Sequence, residues 1–220
     1  MIDFKKIELY IFDLDGTLID SALDLAVSLE RALAEEGIMG YTLDDLLARI
    51  SVGSKNLIRD LVNDDRVVER RVFDYYIKHY SANMFINTKL YPQVLDIMDC
   101  LKTKTVALLS NKREQPCRVI LDHFKINHHF KMILGGDSLK LKKPSPEPIF
   151  HICKNLGIQP ENTVMIGDSP VDIESATSAG AKSIGILDGL TPRNVMEQTK
   201  PDIMVERVGD LLALLKAVTN

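Results

Sequence analysis

The alternation of apolar and polar positions divides the chain into two kinds of segment. Residues 7–12 (Ile-Glu-Leu-Tyr-Ile-Phe) are mostly apolar, β-branched or aromatic, the pattern of a buried strand. From about residue 90 onward, similar short runs recur at 105–109, 131–134, 163–167 and 183–187, with a shorter one near 203–205. Stretches of helical periodicity near 92–102, 114–124, 146–156, 170–180 and 207–217 alternate with them. Residues 18–88 differ, because helical periodicity persists there without a convincing strand. Ser21–Glu36 keeps Leu25, Leu29, Ala32 and Leu33 on one stripe. A second helix over Thr42–Ile50 opens with Thr42 as N-cap and acids at 44 and 45, and a third, highly charged one runs over Asp65–Asn83.

The expected fold class is therefore α/β: a Rossmann-like parallel sheet with helices on both faces and right-handed crossovers, interrupted by an inserted all-helical domain. The expected boundaries are 1–17 and 89–220 for the α/β core domain and 18–88 for the helical insertion. No internal repeat or low-complexity tract is present.

Composition narrows the class. The 220 residues suffice for a substantial core, and 45% apolar with 26% charged residues is ordinary for a globular protein. A formal net charge of -4 without a dense Lys/Arg block argues against a nucleic-acid partner. No apolar run reaches the ~18 residues of a membrane span, and charges among residues 1–12 argue against a signal-peptide core. Cys100, Cys117 and Cys153 are dispersed and lack C-x-x-C spacing, which fits thiols in a reducing cytoplasm better than a disulfide frame or zinc site. His123, His128 and His129 precede a strand far from the acidic motifs and read as exposed loop residues.

Candidate chemistry gathers at the strand ends, where open parallel sheets bind ligands. The first strand delivers Asp13 and Asp15, two carboxylates at i and i+2 on one side of the backbone, followed by Gly16. Such a pair requires a cation or a shared proton to relieve its repulsion. A calcium loop is excluded, because the EF-hand pattern wants glycine at loop position six, where this chain has Leu18. The next strand delivers Ser110 and Asn111. Lys143 follows the third, just before Pro144, and the fourth delivers Gly167, Asp168 and Ser169, with Asp172 a helical turn later.

These four segments, D-L-D-G-T at 13–17, L-L-S-N at 108–111, K-K-P-S-P at 142–146 and G-D-S-P-V-D at 167–172, resemble in order the four motifs of the haloacid dehalogenase-like hydrolase superfamily. The likeness spans essentially the whole chain, with the helical insertion as a cap domain. D-G-T-L-I-D-S and G-D-S-x-x-D-I are similar to the phosphoglycolate phosphatase group.

The resemblance implies a phosphatase in which Asp13 is the nucleophile, a carboxylate that needs no base to activate it. Asp15 is the general acid and base, and an aspartate there separates phosphoryl transfer from dehalogenation. Mg2+ is the implied cofactor, held by Asp13, Asp168 and the backbone carbonyl of Asp15, with Asp172 orienting a metal water or Lys143. Ser110, Asn111 and Lys143 are the expected contacts of the transferring phosphoryl group, and Thr17 with Gly16 shapes the phosphate loop. In the cap, Gly53, Ser54 and Lys55 are candidate substrate contacts, with Lys55 or Arg59 meeting a substrate carboxylate. Ser54 as an ordinary helix N-cap is the competing reading.

The expected activity is Mg-dependent hydrolysis of a small cytosolic phosphomonoester through an aspartyl-phosphate, with 2-phosphoglycolate the leading candidate. Alternatives are a phosphosugar mutase, a pyrophosphatase, a nucleotidase, or a non-catalytic binding module on the same scaffold. The expected partner is a small-molecule phosphate ester, and the chain a monomer or homodimer.

Overall fold

The structure, a computed structural model, describes residues 2–219. The chain folds as two compact units: Met1–Ile19 with Leu90–Asn220, and Asp20–Lys89.

The first unit is built on a six-stranded parallel sheet. Strand β1 (Leu9–Phe12) sits inside it, and every one of its residues is buried. β2 (Ile19–Asp20) and β3 (Lys89–Leu90) form a separate two-stranded pair where the chain passes between the units. The remaining strands are β4 (Thr105–Leu109), β5 (Met132–Leu134), β6 (Thr163–Gly167), β7 (Lys182–Ile186) and β8 (Ile203–Val205). The sheet order β5-β4-β1-β6-β7-β8 makes β1 the point from which the chain builds outward first on one side and then on the other. Ligands of doubly wound sheets bind beyond the strand ends at such a reversal.

Strand alternation divides the core. Leu9 and Ile11 of β1 pack with Ala107, Leu109 and Met165, under Ile149 and Ile152 of α7 (Glu147–Leu156) and Ala176 of α8 (Pro170–Ala179). Tyr10 points to the other face, where it lines a small cavity with Cys100 of α5 (Val94–Cys100) and Leu215 of α10 (Leu211–Thr219). The unit is completed by α6 (Glu114–His123) and the short α9 (Arg193–Met196).

Four helices make the second unit: α1 (Ala22–Glu35), α2 (Leu43–Arg49), α3 (Ser54–Leu61) and α4 (Arg66–Asn83). The α1 stripe Leu25, Leu29, Ala32 and Leu33 is buried, as are Val72, Tyr76 and Tyr80 on α4, the helix that packs against it. Thr42 and Asp45 form a reciprocal capping box, and Asp65 accepts from the amides of Val67 and Val68 at the start of α4.

Some boundaries differ from the sequence reading for local reasons. β1 begins at Leu9 rather than residue 7, because the amides of Lys6 and Ile7 turn back onto Asp3 and Phe4. Gly53 (φ +86°) occupies the N-cap of α3 and Ser54 is its first helical residue, so Ser54 does not cap the helix. The segment near 207–217 opens with a 3-10 turn at Val208–Asp210 before α10. Neither α9 nor the β2–β3 pair was anticipated, both being too short to carry a periodic signal.

Candidate active site

Register brings the candidate residues together. Phe12 pairs with Leu108 on one side and Ile166 on the other, so β1, β4 and β6 end nearly level. The Asp13 amide donates to the Ile166 carbonyl at 2.9 Å and extends the ladder by one rung before the chain turns. The residue is 9% exposed, and its Oδ1 accepts from the Leu14 amide at 2.7 Å and lies 3.0 Å from Lys143 Nζ.

Lys143 is 1% exposed, an unusual setting for a lysine, and its Nζ also reaches Asp172 Oδ1 at 2.6 Å. Its backbone carbonyl accepts from Asn111 Nδ2 at 3.0 Å. Asp172 is wholly buried in the first turn of α8, where Oδ2 accepts from the Ser169 amide at 3.1 Å. The capping box of α8 therefore also fixes the carboxylate that holds the lysine.

Asp168 follows β6 and is 2% exposed. Thr17 Oγ donates to its Oδ1 at 3.2 Å and the Leu190 amide to its Oδ2 at 2.7 Å. Glycines make room for these acids, Gly189 among them, where a Cβ would stand 2.3 Å from Asp168 Cβ. Gly16 adopts φ +80°, and a Cβ there would stand 2.1 Å from Asp168 Oδ2. A Cβ at Gly167 would stand 2.2 Å from Asp172 Oδ2. Glycine is required at 16 both for the left-handed turn and for the approach.

The electrostatics follow from burial. Burial pushes the Asp13 carboxyl up to about 6; Lys143 opposes the shift and Asp172 adds to it. Asp168 rises to about 8, from burial first and then from the charges of Asp13 and Asp172. For Lys143 burial favours the neutral amine, yet the two carboxylates outweigh it and hold the ammonium form. Three buried carboxylates against one ammonium leave two negative charges unbalanced when all are ionised. Oxygens of Asp13, Asp168 and Asp172 lie within 4.8 Å of one another, so the donors fit a hard divalent cation. Both Asp172 oxygens already serve Lys143 and Ser169, which makes Asp13 and Asp168 the better ligands.

Asp15 lies beside this cluster, with Oδ2 3.1 Å from Lys112 Nζ. Sequence reasoning did not single out Lys112. Its only signal was adjacency to Ser110-Asn111 at the end of β4. Ser110 is 3% exposed, and its hydroxyl accepts from the Lys112 amide at 3.2 Å.

Several candidates make contacts other than those expected of them. The Thr17 hydroxyl is given to Asp168, and the Asn111 amide to the Lys143 carbonyl. Arg59 pairs with the buried Glu69 of its own helical unit at 3.5 Å, so it already has an internal carboxylate. Gly53, Ser54 and Lys55 form the start of α3, with Lys55 exposed. His128 and His129 lie in a 3-10 turn, His128 exposed and His129 half-buried.

Residues 10–186 match the haloacid dehalogenase-like hydrolase family. A phosphoglycolate phosphatase from Aquifex aeolicus is 36% identical over 93% of this chain and 95% of its own length. One from Pasteurella multocida is 32% identical over 98% of this chain and the whole of its own. Among solved structures, one described as a predicted phosphoglycolate phosphatase from Haemophilus somnus superposes with a TM-score of 0.87 at 30% identity, covering 95% of this chain and 98% of that one. No described helix is long and apolar enough to cross a membrane. Fold, strand-end acids and these likenesses agree, and the chain belongs to the haloacid dehalogenase-like hydrolases, in the group similar to the phosphoglycolate phosphatases.

Proposed function

We propose that the chain is a magnesium-dependent phosphomonoesterase working through an aspartyl-phosphate, with 2-phosphoglycolate as its substrate. The observation that carries this reading is Lys143, buried and fixed between Asp13 and Asp172 at the head of β1 beside Asp168. A nucleophilic carboxylate attacking a phosphate dianion needs positive charge held in place before the substrate arrives.

In this mechanism Asp13, through Oδ2, attacks phosphorus and the ester P–O bond breaks. The Asp15 carboxyl gives its proton to the departing alkoxide. Asp15, now ionised, takes a proton from the water that attacks the acyl phosphate, which releases inorganic phosphate and restores Asp13. Lys143 offsets charge on Asp13 and the phosphoryl oxygens throughout, while Asp172 and Asn111 keep it in place. The Ser110 hydroxyl, at the end of β4, would donate to the same group. Asp13, Asp168 and the Asp15 carbonyl would hold Mg2+, which when bound neutralises substrate and carboxylate charge so that the two can approach.

The substrate rests on the names of the curated relatives, phosphoglycolate phosphatases at 30–36% identity among those with the strongest similarity. The reading also gives the Asp20–Lys89 unit the role of a cap that sets selectivity, with Lys55 the charge for the substrate carboxylate. A reducing cytoplasm suits the two buried free thiols, Cys117 and Cys153.

The test is phosphate release from a panel of phosphate esters, with magnesium and with chelator, for the wild type and Asp13→Asn. Magnesium-dependent release that is fastest on 2-phosphoglycolate and absent in the variant supports the reading. Undiminished turnover by Asp13→Asn would overturn the nucleophile.

A further inference from the structure

Lys112 has no part in the mechanism above, yet its geometry is closely determined. Its amide donates to Ser110 Oγ at 3.2 Å. Its carbonyl accepts from the Gly136 amide at 2.7 Å and from the buried Cys117 thiol at 3.7 Å. The backbone of residue 112 is thus tied to the end of β4, to the loop after β5 and to α6. From that anchor the side chain, only 11% exposed, carries Nζ to 3.1 Å from Asp15 Oδ2, itself on a side chain 17% exposed. A lysine on a solvated loop is normally free to sample many rotamers, at a cost of ~2 kcal/mol to fix. Here the stem is enclosed and its terminus lies against a carboxylate.

We propose that Lys112 is a positioning residue: it holds the Asp15 side chain in the orientation from which the proton reaches the leaving oxygen. The inference rests on the phosphatase reading and adds to it a residue that acts through Asp15 rather than on substrate. Orientation matters at this step because general acid catalysis needs the proton within hydrogen-bond reach of the oxygen that receives it. A misplacement of about 1 Å can cost ~10²-fold in rate. Lys143 does not serve in its place, because its Nζ is engaged by Asp13 and Asp172.

The demand for that proton depends on the leaving group. An alkoxide from ethyl phosphate leaves poorly without protonation, whereas the p-nitrophenolate of p-nitrophenyl phosphate leaves well as the anion. Neither ester carries a second anionic group. The experiment measures kcat/KM, which reports the first phosphoryl transfer, on these two esters and on 2-phosphoglycolate, for the wild type, Lys112→Met, Lys112→Arg, Asp15→Asn and the Lys112→Met/Asp15→Asn double variant. The expected result is a loss in Lys112→Met at least tenfold larger on ethyl phosphate than on p-nitrophenyl phosphate. Lys112→Arg should recover most of it, and Lys112→Met should add nothing in the Asp15→Asn background.

Equal losses on both esters would overturn the proposal, since a structural role slows every substrate alike. A loss confined to 2-phosphoglycolate would also overturn it, by making Lys112 a contact of the substrate carboxylate. A wild-type enzyme inert toward all three esters would overturn the phosphatase reading itself, and this inference with it.

Discussion

Lys143 Nζ lies 2.6 Å from Asp172 Oδ1, and both side chains are essentially closed to solvent. The pair joins the loop before α7 to the first turn of α8, and through the second contact of Lys143 it bears on Asp13. Removing one member of a buried ion pair leaves the other charge without compensation, at about 3–5 kcal/mol. Lys143→Met should therefore lower stability by about that much in urea titrations without metal, and should abolish turnover. Asp172→Asn keeps an oxygen toward Lys143 and should be the milder change in stability.

The pH dependence of the metal-free protein has a definite sign at Asp168. Its carboxyl titrates near 3.8 when unconstrained and at about 8 in the fold. A raised carboxyl contributes stability that is fully present below the unfolded value and is lost as pH rises toward the folded one. Stability measured for Asp168→Asn relative to wild type should accordingly improve as pH is raised from about 4 to about 8, without metal. Magnesium should reverse the trend for the wild type alone. A pH-independent difference would show that Asp168 is not strained by its neighbours.

Asp24 is expected to show the opposite sign. Burial alone would raise its carboxyl, but donors from Thr88 and Asn87 outweigh it and hold it below the usual range. Those donors are the Asn87 and Thr88 amides, Asn87 Nδ2 and Thr88 Oγ, at 2.7–3.1 Å. The interaction ties the start of α1 to the chain just before β3, within the helical unit. A depressed carboxyl stabilises above its unfolded value and loses that contribution as pH falls through the folded value. Asp24→Ala leaves buried donors unsatisfied and should cost about 3 kcal/mol at neutral pH. That cost should shrink on acidification, as read by urea unfolding at pH 7 and pH 3.

Gly16 and Gly180 have similar backbones, φ +80° and +73°, in different surroundings. A Cβ at Gly180 meets nothing within 4 Å, so Gly180→Ala should cost only the left-handed penalty of about 1–2 kcal/mol. At Gly16 the same atom would collide with the Asp168 carboxylate. Gly16→Ala should be more destabilising than Gly180→Ala and should suppress activity, while Gly180→Ala keeps its kcat. Equal effects on stability and rate would argue against a close approach at Asp168.

The fold was legible because its signals are local. Five residues such as Thr163–Gly167 declare a strand by composition, and Thr42 or Asp65 declare helix starts by the donors their side chains satisfy. Contacts between distant residues were not legible in this way. Thr17 and Asp168 are 151 positions apart, and nothing in either segment says that this hydroxyl serves that carboxylate. Nor does the sequence around Arg59 express that Glu69, ten positions along and buried, faces it.

By itself the amino-acid order determined which residue types stand at each strand end, because strand and helix periodicities and turn-forming glycines act over a few neighbours. Tertiary structure alone decided who meets whom. The shared register of β1, β4 and β6 aligns their ends, and burial there makes each remaining charge seek a partner: Lys143 between two acids, Lys112 on Asp15. Those pairings are fixed by the cost of leaving a charge unpaired away from water, which no short stretch of sequence expresses.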